Sequence, residues 1–166
     1  MGFYKLSLMK NLLVNILLCV LVYFSYQYYQ EATRDWTKVT DREWRSKLSQ
    51  EEYEVLREGS TEDAYSGKLL KEKASGIYVC RACSSELFSS STKFDSGTGW
   101  PSFGDPIAKK AVTHHRHNTV LAVAIEVRCS RCESHLGHLF PDGPTASGKR
   151  YCINSLALDF EKKGKK

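Results

Sequence analysis

The sequence predicts a mainly β protein: a compact antiparallel β-domain with short helices at its front and one apolar helix ahead of it. Three observations carry this. Beyond Gly67, short β-type runs at 77–79, 86–88, 120–128 and 151–160 are separated by Gly, Ser, Pro and Asp, the punctuation of turns. Two Cys-x-x-Cys pairs stand 45 residues apart, a spacing that clamps strands distant in sequence. Residues 11–29, NLLVNILLCVLVYFSYQYY, contain no charge.

Composition bounds the rest. A chain of 166 residues with 42% hydrophobic and 26% charged content makes one ordinary domain plus appendages. The net charge of +5 owes much to four lysines in the closing EKKGKK, and no nucleic-acid reading motif is present, so a nucleic-acid partner is not expected.

In chain order, the uncharged run follows Lys5 and Lys10 and ends in Tyr23, Tyr26, Tyr28 and Tyr29. At about 1.5 Å per residue it is just long enough to cross a bilayer, with tyrosines suited to the far interface. Lysines ahead of it predict a cytosolic N-terminus and a domain on the other side, in the endoplasmic reticulum lumen or another extracytoplasmic space. A cleaved signal peptide is the alternative, although no small-x-small cleavage site is evident. Cys19 within the run reads as packing or a palmitoylation site. The segments are 1–29 as anchor or signal, 30–39 as linker, 40–160 as the domain and 161–166 as a basic tail.

Two helix starts share one grammar. Thr40 with Glu43, flanked by Val39 and Trp44, and Ser49 with Glu52, flanked by Leu48 and Tyr53, each form a capping box with a hydrophobic staple. Gly59 should end the second helix. No phosphate loop follows, and nothing repeats besides the two cysteine pairs.

Cys80 with Cys83, and Cys129 with Cys132, place two thiolates on one side of each knuckle, and two knuckles complete a tetrahedron of sulfur around one zinc ion. Four protein ligands leave no open position, so such a metal is structural. Arg81, Arg128 and Arg131 are expected to offset the cluster's charge. Two disulfides or one redox Cys-x-x-Cys are the alternatives. His114, His115 and His117 are read as a solvated basic loop, with a second metal site as the alternative.

The last cysteine, Cys152, belongs to no pair. Were 150–160 a single strand, Arg150, Cys152 and Asn154 would share a face above Leu156, Leu158 and Phe160, and a nearby arginine would lower the thiol's pKa. The alternative is a buried structural cysteine.

Four stretches, CRACSSELF, FDSGTGWPSF, RCSRCESHLGHLFPDGP and GKRYCINS, together closely resemble the type B methionine sulfoxide reductase family, over about residues 44–160. The resemblance implies two small sheets of the Mss4-like kind, and reduction of the R epimer of methionine sulfoxide in oxidised proteins. It maps the attacking cysteine to Cys152 and its neighbours to Arg150 and Asn154. His135 and His138 of SHLGH become proton donors, which a turn or helical step would aim at one pocket. Trp100 of GTGWPSF becomes the holder of the substrate's S-methyl group. Many members carry a resolving cysteine where this chain has Thr98, which implies a one-cysteine cycle completed by an external thiol, thioredoxin or a small dithiol. A monomer is expected. A zinc-stabilised binding module with inert Cys152, and a thiol-disulfide exchanger built on a Cys-x-x-Cys pair, are the competing functions.

Overall fold

The computed structural model describes residues 2–118 and 123–164 and divides into two compact units, one ending at Asp35 and the other beginning at Trp36. The first unit is helix α1 (Gly2–Thr33). Its stretch Leu12–Thr33 has a mean hydropathy of 1.6 and is long and apolar enough to cross a membrane.

The second unit opens with α2 (Asp41–Lys47) and α3 (Gln50–Glu58). Both expected capping boxes are formed. The backbone N–H groups of Thr40 and Ser49 donate to the Glu43 and Glu52 carboxylates at 2.9 Å, and those glutamates' own N–H groups donate back to the cap hydroxyls. The reciprocal bonds satisfy donors that a helix start otherwise leaves orphaned. Gly59 caps α3 as predicted. Trp44 is buried from α2 and stacks on Trp36 with ring centroids 5.7 Å apart.

Among the described residues nine strands follow: β1 (Gly76–Cys80), β2 (Glu86–Ser89), β3 (Lys93–Phe94), β4 (Ser102–Phe103), β5 (Val112–Asn118), β6 (Val123–Cys129), β7 (His135–Phe140), β8 (Arg150–Ile153) and β9 (Leu158–Lys162). They form two antiparallel sheets, β2-β1-β9 and β3-β4-β8-β7-β6-β5. Alternation along the strands sends Tyr78 and Phe88 of the small sheet toward Phe103 and Tyr151 of the large one. Phe88 stacks on Phe103 at 4.4 Å, Tyr78 meets the same ring edge-on at 4.9 Å, and Tyr151 lies 5.7 Å from Phe88. This aromatic cluster, with Leu87, Leu136, Val127 and Ile153, is the fully buried centre of the core.

Two expectations are corrected here. Residues 150–160 are not one strand: β8 ends at Ile153, a 3₁₀ turn spans Ser155–Ala157, and β9 continues in the other sheet. The buried Glu62 carboxylate causes the break by accepting the N–H groups of Ser155 at 2.6 Å and Leu156 at 2.9 Å, which a ladder would otherwise need. Leu158 and Phe160 are thereby carried to the small sheet, where Phe160 packs on Tyr78, and they form no floor beneath Cys152. The histidine triplet is not a loop but lies within β5, paired residue by residue with β6. Of the strand expected over 120–128, residues 120–122 lie outside those described, and β6 runs from Val123.

Candidate active site

The two knuckles are copies of one turn. After Cys80 the chain bends so that Ser84 N–H donates to the Cys80 carbonyl at 2.8 Å, and after Cys129 Glu133 N–H donates to the Cys129 carbonyl at 2.9 Å. Ser84 and Glu133 both take the left-handed conformation, each at φ 58°. The four sulfurs lie within 4.8 Å of one another, with Cys80 to Cys132 at 3.7 Å and Cys83 to Cys129 at 3.6 Å. Ligands about 2.3 Å from a tetrahedral zinc stand about 3.8 Å apart, whereas a disulfide needs about 2.05 Å. The four thiols therefore fit a metal and not two disulfides.

Hydrogen bonding among the four sulfurs, together with burial, pushes the Cys80 thiol well above its ordinary value, and only a cation at the centre would let all four ionise together. The arginines do less here than expected. Arg81 pairs with Glu52 and Asp159 and Arg128 with Glu126, while Arg131 donates to the Cys83 carbonyl and Arg57 to that of Cys132.

Cys152 sits near the middle of the large sheet. Its neighbours in register are Ser102 on β4 and His138 on β7. Gly137 makes the second pairing possible: a Cβ there would lie 2.1 Å from the Cys152 carbonyl oxygen. The half-buried thiol opens into a cavity of about 150 Å³ lined by Thr61, Trp100, Gly137, His138, Phe140, Cys152 and Asn154. Trp100 is held by its indole N–H, which donates to the Glu62 carbonyl at 3.1 Å. The loop before it is pinned by Tyr65, whose N–H and hydroxyl donate to the carbonyls of Gly99 and Gly97 at 2.9 and 2.7 Å. Gly99 has φ +97°, and a Cβ there would meet Ala64 and Tyr65 within about 3.0 Å.

A SelR domain profile matches residues 48–162. The peptide methionine sulfoxide reductase MsrB of Methanosarcina mazei is 54% identical over 123 residues, covering 74% of this chain and 88% of that protein. The protein of the same description from Thiobacillus denitrificans is 53% identical over 124 residues, covering 75% and 94%. That from Methanosarcina barkeri is 52% identical over 128, covering 76% and 90%. The chain belongs to the SelR family.

Within this SelR domain the residues singled out from sequence separate into two groups. Cys152, His138, Trp100 and Asn154 share one cavity. Arg150 and His135 do not line it. Arg150 is almost wholly buried and gives a two-pronged bond to Asp142, Nε to Oδ1 at 2.8 Å and Nη2 to Oδ2 at 2.9 Å, with its guanidinium over the Phe140 ring. His135 is reached through the strand and not through a helical step. It lines a second, polar cavity of about 320 Å³ on the far side of His138. Asn154 braces the site from behind, accepting from Glu62 N–H and donating to the Leu136 carbonyl, both at 3.1 Å.

The resting thiol also differs from expectation. Burial raises its pKa, and this outweighs the lowering by Thr98, Arg150 and Ser102, because Arg150's charge is already balanced by Asp142. Thr98 Oγ1 is 3.9 Å from the sulfur and belongs to a hydroxyl chain through Ser96 to Ser102, each step 2.8 Å.

Glu62, Asp142, Tyr65 and Phe140 were missed in the sequence reading. Asp142 had a signal, an Asp-Gly turn eight residues before Arg150. Glu62, inside the polar run STEDAYS, had none.

Proposed function

We propose that the chain reduces methionine-R-sulfoxide residues of oxidised proteins, with Cys152 as the attacking sulfur. The observation that supports this best is the cross-strand row Ser102–Cys152–His138 opening on the Trp100 cavity, which gathers a thiol, an imidazole and an indole around one small group. The substrate's S-methyl group rests against the Trp100 ring. The Cys152 sulfur attacks the sulfoxide sulfur while the thiol proton passes, by way of His138, to the sulfoxide oxygen. In the adduct the hydroxyl then passes from the substrate sulfur to the Cys152 sulfur: the substrate S–O bond and the newly formed S–S bond break, a Cys152 S–OH bond forms, and methionine leaves, so methionine gains two electrons and Cys152, now a sulfenic acid, loses two.

Among the described residues the cavity lining holds no second thiol, and the other four cysteines of the domain face one another in the knuckles. An external thiol therefore condenses with the sulfenic acid, releasing water and leaving a mixed disulfide, and a second thiol frees Cys152. Thioredoxin or a small dithiol suits both steps. Cys80, Cys83, Cys129 and Cys132 would hold one zinc ion, which supplies a structural clamp and takes no part in the reduction.

We assign residues 40–160 to the reductase domain, acting as a monomer, and 1–29 to an anchor that leaves the domain on the extracytoplasmic side. The apolar stretch of α1 supports the anchor. The full chain is expected to pellet with membranes after carbonate washing, and to stay in the supernatant once residues 1–33 are deleted. For the activity, the R epimer of a methionine sulfoxide peptide with dithiothreitol is turned over by the wild type, and Cys152→Ser loses at least about 10³-fold. Equal rates in the two proteins would leave only a zinc-braced binding module.

A further inference from the structure

The row that contains Cys152 does not stop at His138. In register, His138 pairs with Glu126 on β6, and Glu126 pairs with His115 on β5. A carboxylate is unusual in such a place, with its side chain only 7% exposed. Its partners include Arg128, whose Nη2 lies 2.8 Å from Oε2, and His135, whose Nδ1 lies 2.8 Å from Oε1. Burial alone would raise the Glu126 pKa, but the hydrogen bonds from Arg128 and His135 prevail and hold it at about 2, so the group is an anion and can only accept.

The backbone is shaped to bring His135 to this carboxylate. Residues three apart on a regular strand point to opposite faces, yet the His135 and His138 rings meet edge to face at 5.3 Å. The register shift between Val127 and Arg128 and the positive φ of Gly137, 157°, between the two histidines allow it. His135 is 5% exposed, and its Nε2 has no hydrogen-bond partner among the described residues.

We infer that Glu126 is a positioning residue of the reduction: it keeps the His135 proton on Nδ1, so that Nε2 is the proton-accepting nitrogen of a His135–His138 pair. The inference rests on Cys152 and His138 acting as proposed above. An anionic acceptor at 2.8 Å fixes the tautomer, as carboxylates do for metal-bound and catalytic imidazoles. The pair then buffers the proton that leaves the thiol and reaches the sulfoxide oxygen, with none gained or lost over the step.

Other charged groups surround the pair. Arg57 and Glu58 from α3, Glu133 from the knuckle turn and Arg128 line the polar cavity with both histidines. His115 stands beyond Glu126, and Arg150 on β8 is neutralised by Asp142.

The test uses the full zinc-loaded chain. Nitrogen-15 NMR of the wild-type imidazoles is expected to show His135 protonated at Nδ1. Glu126→Gln is expected to lower kcat about 10- to 100-fold with KM little changed, and to alter the pH profile of kcat, while Glu126→Asp recovers part of the loss. A wild-type His135 protonated at Nε2 would overturn the inference even if the variants fail to fold. So would a folded Glu126→Gln with wild-type kcat and pH profile. Neither result touches the Cys152 assignment, which fails instead if wild type and Cys152→Ser turn over alike.

Discussion

The knuckles and the Cys152 cavity are built by opposite means. Each knuckle is a local motif, a Cys-x-x-Cys run closed by a single backbone turn and used twice, so its geometry is set by residues adjacent in sequence. The cavity contains no local motif. It draws Thr61, Trp100, three residues of β7, and Cys152 and Asn154 at the end of β8, and the register of the large sheet together with the Trp100–Glu62 bond brings them together. Damage to a knuckle should therefore appear as lost fold, and damage to the cavity as lost rate.

The largest effect that would sharpen this contrast is removal of zinc. Structural zinc in small domains contributes on the order of 10–16 kcal/mol of apparent binding free energy, so chelation is expected to abolish the cooperative thermal transition and the near-ultraviolet circular dichroism together. A chelated protein, shown metal-free, that kept its melting temperature would break the comparison.

Gly137→Ala comes next. With a Cβ 2.1 Å from the Cys152 carbonyl, β7 and β8 must part, and a displacement near 1 Å costs about 10²-fold in rate. Zinc content should stay at one per chain while kcat/KM falls; loss of both would mean that the two regions are not separable.

The smallest effect concerns acid stability. The folded Glu126 pKa, about 2, lies below its ordinary value of 4.5, so its contribution is complete above the unfolded value and disappears as pH falls toward 2. Glu126→Gln should flatten that part of the wild-type stability curve between about pH 4.5 and 2, measured by urea unfolding. Parallel curves would remove Glu126 from the electrostatics of the sheet.

The same division explains what could be read from sequence. Cys80, Cys83, Cys129 and Cys132 announce themselves by spacing, and Thr40, Glu43, Ser49 and Glu52 by short-range hydrogen-bonding grammar. Cys152, His138 and Trp100 were legible through family likeness, and the structure does bring them together. What escaped depends on contacts across many residues. Glu62 meets Ser155, 93 positions away, and that single carboxylate breaks a run that alternation had read as one strand. Arg150 looked like an activator two residues from the thiol until Asp142 claimed both of its prongs. His114 and His115 looked like a loop because their polarity hides a strand at the edge of the sheet, where an outward face need not be apolar.

A recess of about 150 Å³ has room for the tip of one protruding side chain. Oxidised methionines packed inside a client are thus invisible until that client breathes. Repair of such a lesion would run at the tempo of the damaged partner's own local opening, and the most loosened molecules in a population would be mended first.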